Sequence, residues 1–167
     1  MAYLLDANVF ISAHRSYSPF DFCPGFWDWL KIKHEQNVVS SIDAVYDELK
    51  DSKDEVSKWA KRMRSVNFFH STNDDETGAS ITDLHKWAAS GENKFEQQAL
   101  DEFYRAADLV LIAYAKAHGH ILVTNEVYDS GTRKKVKIPN VCKAINVKYI
   151  NAFQLLRDEG ARFVLGE

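Results

Sequence analysis

Residues 106–126 read AADLVLIAYAKAHGHILVTNE, and this run decides the fold class. Its first part, residues 106–118, is apolar nearly all round, which is the pattern of a helix buried on every side. Gly119 is a stop signal for such a helix. Ile121, Leu122 and Val123 follow, and polar Thr124, Asn125 and Glu126 close the run. A short apolar run of this kind reads as a strand buried on both faces, as in a parallel sheet.

The same pattern recurs outward from this stretch. Residues 3–5 and 38–39 are short apolar runs followed by polar residues, and 147–150 is a weaker candidate. Helical patterns lie between them. Ile42, Val45, Tyr46 and Leu49 repeat at helical spacing, and Phe26, Trp27 and Leu30 follow Pro24, which suits a first turn. Residues 54–64 form a polar helix with Val56, Trp59, Ala60 and Met63 on one face. Ile81, Leu84 and Ala88 suggest another helix, and residues 152–157 a last one with Phe153 and Leu156 facing in. Strands alternating with helices predict an α/β fold around a parallel sheet. The polar segment 71–93 reads as a helical insertion or a mobile lid.

Composition fits this reading. A chain of 167 residues predicts one domain, residues 1–167. With 46% apolar and 27% charged residues, wholesale disorder is excluded. Basic residues number 21 and acidic residues 24, so any grip on nucleic acid must come from a local patch rather than net charge. Cys23 and Cys142 stand far apart, which argues against a disulfide scaffold or a thiolate zinc site and fits a reducing cytoplasm. The opening residues do not read as a signal peptide, and no apolar stretch approaches the ~20 residues that span a membrane.

The acids then fall in a telling place. Asp6 directly follows the first strand and Glu126 the strand at 121–123, and sites in open α/β sheets form at the carboxyl ends of strands. Asp108 opens the buried helix, whose N-terminus returns to that same edge. Glu48 borders the apolar stripe of its helix, with Asp43 at the opposite border, and periodicity alone does not choose between them. Taken singly, each acid is better read as a helix-terminal or solvated residue. Taken together, Asp6, Glu48, Asp108 and Glu126 cannot all stay ionised in one pocket, because two carboxylates about 5 Å apart repel by roughly 3 kcal/mol at an effective dielectric near 20. Either protons or a cation must enter. An all-oxygen cluster suits Mg²⁺ or Mn²⁺. Such ions activate water and stabilise the charge that builds on a phosphodiester under in-line attack. That chemistry fits a chain without G-x-S-x-G, Walker or G-x-G-x-x-G motifs.

These residues resemble the PIN-domain nucleases. LLDANVFI (4–11) resembles the family's opening strand, VYDELK (45–50) the helix of its second acid, AADLVLIAYA (106–115) its third motif and ILVTNE (121–126) its fourth. The resemblance selects Glu48 over Asp43. Residues 137–156 and the Arg-Phe-Val-Leu ending point to a bacterial PIN-like branch described as a domain of unknown function and related to VapC-type toxins. The resemblance implies a three-layer α/β/α fold with a parallel sheet of four to five strands in order 3-2-1-4-5. It also implies Mg²⁺- or Mn²⁺-dependent RNA cleavage, using one or two ions held by Asp6, Glu48, Asp108 and Glu126 and leaving a 5′-phosphate and a 3′-hydroxyl. Many such proteins are toxins bound by a cognate antitoxin, and they often dimerise. Two positions depart from the pattern: Ala7 stands for the usual Thr, and Glu126 for the usual Asp.

Other residues are read around that site. Asn8 and Thr124 could orient the acids by hydrogen bonds, although turn and strand-end chemistry explains them equally well. Arg133, Lys134 and Lys135, in a basic run reaching Lys137, could contact phosphates or be a solvated loop. Trp27, Trp29, Trp59 and Trp87 read as core or interface residues. Two other functions remain open. One is a catalytically dead module that binds an antitoxin or RNA. The other is a phosphatase of similar architecture, whose Asp-x-Asp-x-Thr pattern is missing because Asn8 and Phe10 fill those places.

Overall fold

A computed structural model of the chain describes residues 2–165. Five parallel strands form its sheet: β1 (Tyr3–Leu5), β2 (Val39–Ile42), β3 (Phe69–His70), β4 (Ile121–Val123) and β5 (Tyr149–Ile150), in the order β3-β2-β1-β4-β5. Leu4 lies level with Ser40 on one side and with Leu122 on the other. Leu4, Leu5, Leu122 and Val123 are buried, as expected of central parallel strands covered on both faces. The sheet order is the expected 3-2-1-4-5, with helices on both sides.

Nine α-helices connect and flank the strands among the described residues: α1 (Ala7–Ser12), α2 (Pro24–Glu35), α3 (Asp43–Lys50), α4 (Glu55–Arg64), α5 (Asp75–Ala89), α6 (Gln97–Arg105), α7 (Ala107–His118), α8 (Ile138–Ile145) and α9 (Ala152–Asp158). A π-helical turn, Ala13–Tyr17, extends α1. Gly119 ends α7 in the left-handed conformation, at φ 65°, where a Cβ would be strained. Leu109, Leu111, Ile112, Ala113 and Ala115 of α7 are buried, so this helix is core on nearly every side. None of the described helices is long and apolar enough to cross a membrane.

An aromatic cluster fills one part of the core. Phe10 lies 5.4 Å from Trp59 and 6.1 Å from Phe68 between ring centroids, and Trp27 lies 5.1 Å from Trp59. Trp27 and Trp59 are therefore core residues, while Trp29 and Trp87 are half-buried.

Several expectations need correcting. Segment 71–93 is not a lid: α5 packs along α7, with Thr77, Ser80, Leu84 and Ala88 buried. The second strand starts at Val39 and continues through Ser40 and Ser41, both buried; the Ser41 hydroxyl donates to the Leu5 carbonyl at 2.6 Å. In α9 Ala152 and Leu155 are buried and Leu156 packs partly buried against the core, but Phe153, expected to face in, is 46% exposed. The residues that form β3, and the helix α6, were not located from the sequence.

Candidate active site

The carboxyl ends of β1 and β4 are tied together. The Asp6 amide donates to the Val123 carbonyl at 3.0 Å, so the residues after both strands share one edge. Asp6 is 4% exposed. Its carboxylate accepts the Thr124 hydroxyl at 2.9 Å, and that hydroxyl oxygen in turn accepts from Asn8 Nδ2 at 3.1 Å and from the Glu126 amide at 3.2 Å. Asn8 Oδ1 accepts from the Asn125 amide at 3.0 Å. Asn8 and Thr124 thus lock the turn after β4 onto the start of α1 and hold one oxygen of Asp6.

Asp108 stands in the first turn of α7, which runs back along the sheet. Burial pushes its carboxyl up to about 6, with Glu126 and Glu48 adding repulsion and Lys135 partly offsetting it. Asp6 is pushed up to about 7, first by burial, then by Asp108, with smaller repulsion from Glu126 and Glu48; the Thr124 hydrogen bond works in the other direction. Four acids remote in sequence therefore act on one another electrostatically. Asp43 does not belong to this group. It accepts from the Thr72 amide at 3.1 Å and the Thr72 hydroxyl at 2.9 Å, and so fastens α3 to the segment after β3.

Glu126 differs from the other three. Its Oε1 accepts from Lys135 Nζ at 2.5 Å, and its Oε2 accepts from the Ile138 amide at 2.8 Å, in the first turn of α8. It is at once a helix-terminal acid and the partner of Lys135, a basic residue that also acts on Asp108. Arg133 and Lys134 are exposed on the same loop, and Lys137 pairs with Asp129 at 3.4 Å.

The donor chemistry is that of a hard divalent cation: all four groups are carboxylates, and Asp6 and Asp108 lie in surroundings that favour neutralisation. Among the described residues, no group of three or more His, Cys, Asp or Glu side chains is arranged to hold a metal ion. Mg²⁺ does not need one, since it keeps several waters and is held by one or two carboxylates. Asp6 and Asp108 are the two acids whose carboxyls are raised, and Glu48 and Glu126 act on both of them.

Sequence reasoning did not single out a cleft of 680 Å³ beside the acids, whose wall includes Thr124, Asn125 and Glu126 and the aromatic rings of Tyr17, Tyr128, Tyr149 and Phe153. No periodicity marks these rings, because they come from four separate loops and element ends.

The profile of a family described as a domain of unknown function, DUF4411, matches residues 3–163. The chain belongs to that family. Its fold is also found in solved structures. VapBC2 from Rickettsia felis, bound to a DNA fragment from their promoter, aligns with a TM-score of 0.55 at 16% identity; VapBC-1 from nontypeable Haemophilus influenzae gives 0.53 at 10%; FitAcB from Neisseria gonorrhoeae gives 0.52 at 17%. Each alignment covers 90% of this chain and 98% of the other. At such identities the likeness is one of fold, and that fold is the PIN-like α/β fold of VapC-type chains. No curated protein matches the chain.

Proposed function

We propose that this protein is a divalent-metal-dependent endoribonuclease, the toxin of a toxin–antitoxin pair, acting on RNA in the cytoplasm. The observation that carries this reading is the placement of a buried Asp6 directly after β1, tied to Thr124 after β4, at the carboxyl edge of a parallel sheet, with Asp108, Glu126 and Glu48 raising its carboxyl further. A fold does not keep such a cluster for stability. Mg²⁺ or Mn²⁺ bound there supplies charge stabilisation for a phosphodiester under attack and a water of lowered pKa. Asp6 and Asp108 would hold the ion, and Glu48 and Glu126 would add negative charge around it. Asn8 and Thr124 fix the Asp6 carboxylate. Lys135, with Arg133 and Lys134 on the same loop, meets the phosphates of the substrate. The fold shared with chains of VapBC and FitAcB complexes supports a protein partner that covers this edge, and a second copy of the chain is a further candidate.

The engagement of Glu126 by Lys135 and the Ile138 amide favours a second reading, a weak or inactive PIN-like module that binds its partner or RNA without cutting. One experiment separates the two. The protein is incubated with a mixed RNA pool and Mn²⁺, beside Asp6→Asn and Asp108→Asn. The hydrolase reading expects fragments only from the wild type and only with metal. RNA retained intact by all three proteins supports the second reading instead.

A further inference from the structure

The aromatic cleft adjoins the acids through shared residues. Thr124 donates to Asp6 and also lines the cleft, as does Glu126. A strand held by its phosphate at the acids would run its next sugar and base directly into this space. Two of its four rings are exposed, Phe153 on α9 at 46% and Tyr128, while Tyr17 and Tyr149 are half-buried. An exposed phenylalanine on a helix whose neighbours Ala152 and Leu155 are buried contributes nothing to the core. Tyr17 lies 4.9 Å from Phe153 between centroids and supports it from behind. Ser12 and Ser16 also line the cleft and add small polar groups to its wall.

Charge on the rim matches a nucleic-acid backbone. The Lys143 ammonium sits 4.4 Å from the centre of the Tyr128 ring, and Lys135 stands at the Glu126 side. The chain has a net negative charge, so these cations are a local patch. Open aromatic faces flanked by cations and small polar groups are the features that bind unpaired bases, whereas bases inside a duplex cannot present their faces.

We infer that the cleft bounded by Tyr17, Tyr128, Tyr149 and Phe153 is a base-stacking subsite that takes an unpaired nucleotide next to the phosphate held at the acids. The inference rests on the hydrolase reading for the direction of the strand, and on the cleft itself for the stacking. It makes the substrate single-stranded RNA or a loop.

The test is binding in EDTA, where cutting stops. A fluorescein-labelled single-stranded 12-nucleotide RNA of mixed sequence is compared by anisotropy with an abasic oligomer of the same length and charge. The expected result is binding of the RNA about tenfold tighter than the abasic strand. Phe153→Ala and Tyr128→Ala should each bring the two affinities together, and Phe153→Trp should keep them apart. Both rings are solvent-exposed, so these variants fold, and circular dichroism checks it. Equal affinity of the wild type for RNA and abasic strand overturns the inference, as does an unchanged ratio in Phe153→Ala; either result leaves the cleft to a peptide. Cleavage with Mn²⁺ is scored separately. A base-dependent ratio without any cleavage keeps the subsite and removes the hydrolase reading, and cleavage with no base dependence does the reverse.

Discussion

Asp6 and Asp74 carry the same carboxyl group into opposite surroundings. Asp74 caps α5, and the Thr77 amide at 2.7 Å and hydroxyl at 2.8 Å, with His118 nearby, hold it below the usual carboxylate range. Asp6 is buried, accepts one hydroxyl, faces three other acids and is pushed up to about 7. The cap is ionised to the benefit of the helix. The strand-end acid, pushed up to about 7, is only about half ionised at neutral pH; its charged form costs the fold, and a proton or a cation relieves it. Stability is the business of the first carboxylate and ligand binding that of the second.

The largest effect that could break this contrast comes from Asp6→Asn. Its Mn²⁺-dependent RNA cleavage should fall by more than about 100-fold, since an amide neither attracts nor holds the ion as a carboxylate does. The same variant should be more stable than the wild type at pH 7.5 by roughly 2–4 kcal/mol without metal, because a buried charge is removed. Gel assays and urea denaturation read the two effects. Lower stability in Asp6→Asn would show that the acid serves the fold.

Next comes the pH profile. The folded-state values of Asp6 and Asp108 lie above those of the unfolded chain, so between about pH 4 and 7 the folded state holds more protons. Stability from these two groups is therefore fully present below pH 4 and lost as pH rises through about 6 and 7. Urea midpoints taken without metal should fall across that range. Asp6→Asn should flatten the fall, as should saturating Mn²⁺. Asp74 has the opposite sign: its contribution is present above its unfolded value and lost as pH falls below about 4. A smaller effect follows from removing the cap. Asp74→Ala should lower Tm by roughly 2–4 °C and leave metal-dependent cleavage unchanged.

The contrast also explains what the sequence could reveal. β1 and β4 are three-residue apolar runs ended by polar residues, so both strands and the acids after them were readable, and α7 announced itself by being apolar all round. β2 was cut short because Ser40 and Ser41 look like loop residues; their burial depends on contacts such as the bond from Ser41 to Leu5, which are invisible before folding. β3 has two residues, too few for any period. Asp43 and Glu48 were equivalent on a helical wheel; the resemblance chose Glu48, and the pairing of Asp43 with Thr72 shows where the other acid goes. Phe153 was placed inside because it is apolar, yet α9 turns it onto the cleft. Charge partners across loops, such as Lys135 with Glu126, have no signature in linear spacing.

That last pair gives the smallest and most discriminating prediction. The Lys135 ammonium is held by Glu126 first, with Asp108 and Asp6 also attracting it, so it is the counter-charge the acids have without metal. A divalent cation arriving at the site meets a positive charge already present. Lys135→Met keeps the aliphatic stem and removes the charge. The apparent affinity for Mn²⁺, measured by calorimetry, should then rise by about three- to tenfold, a modest gain because the lysine is largely exposed and screened. Glu126 should stay in place, since the Ile138 amide still holds Oε2. Affinity for RNA should move the other way, because a phosphate contact is gone. If metal affinity fell together with RNA affinity, Lys135 would be positioning Glu126 for the ion rather than competing with it, and the fourth acid would belong with Asp6 instead of with the helix it caps.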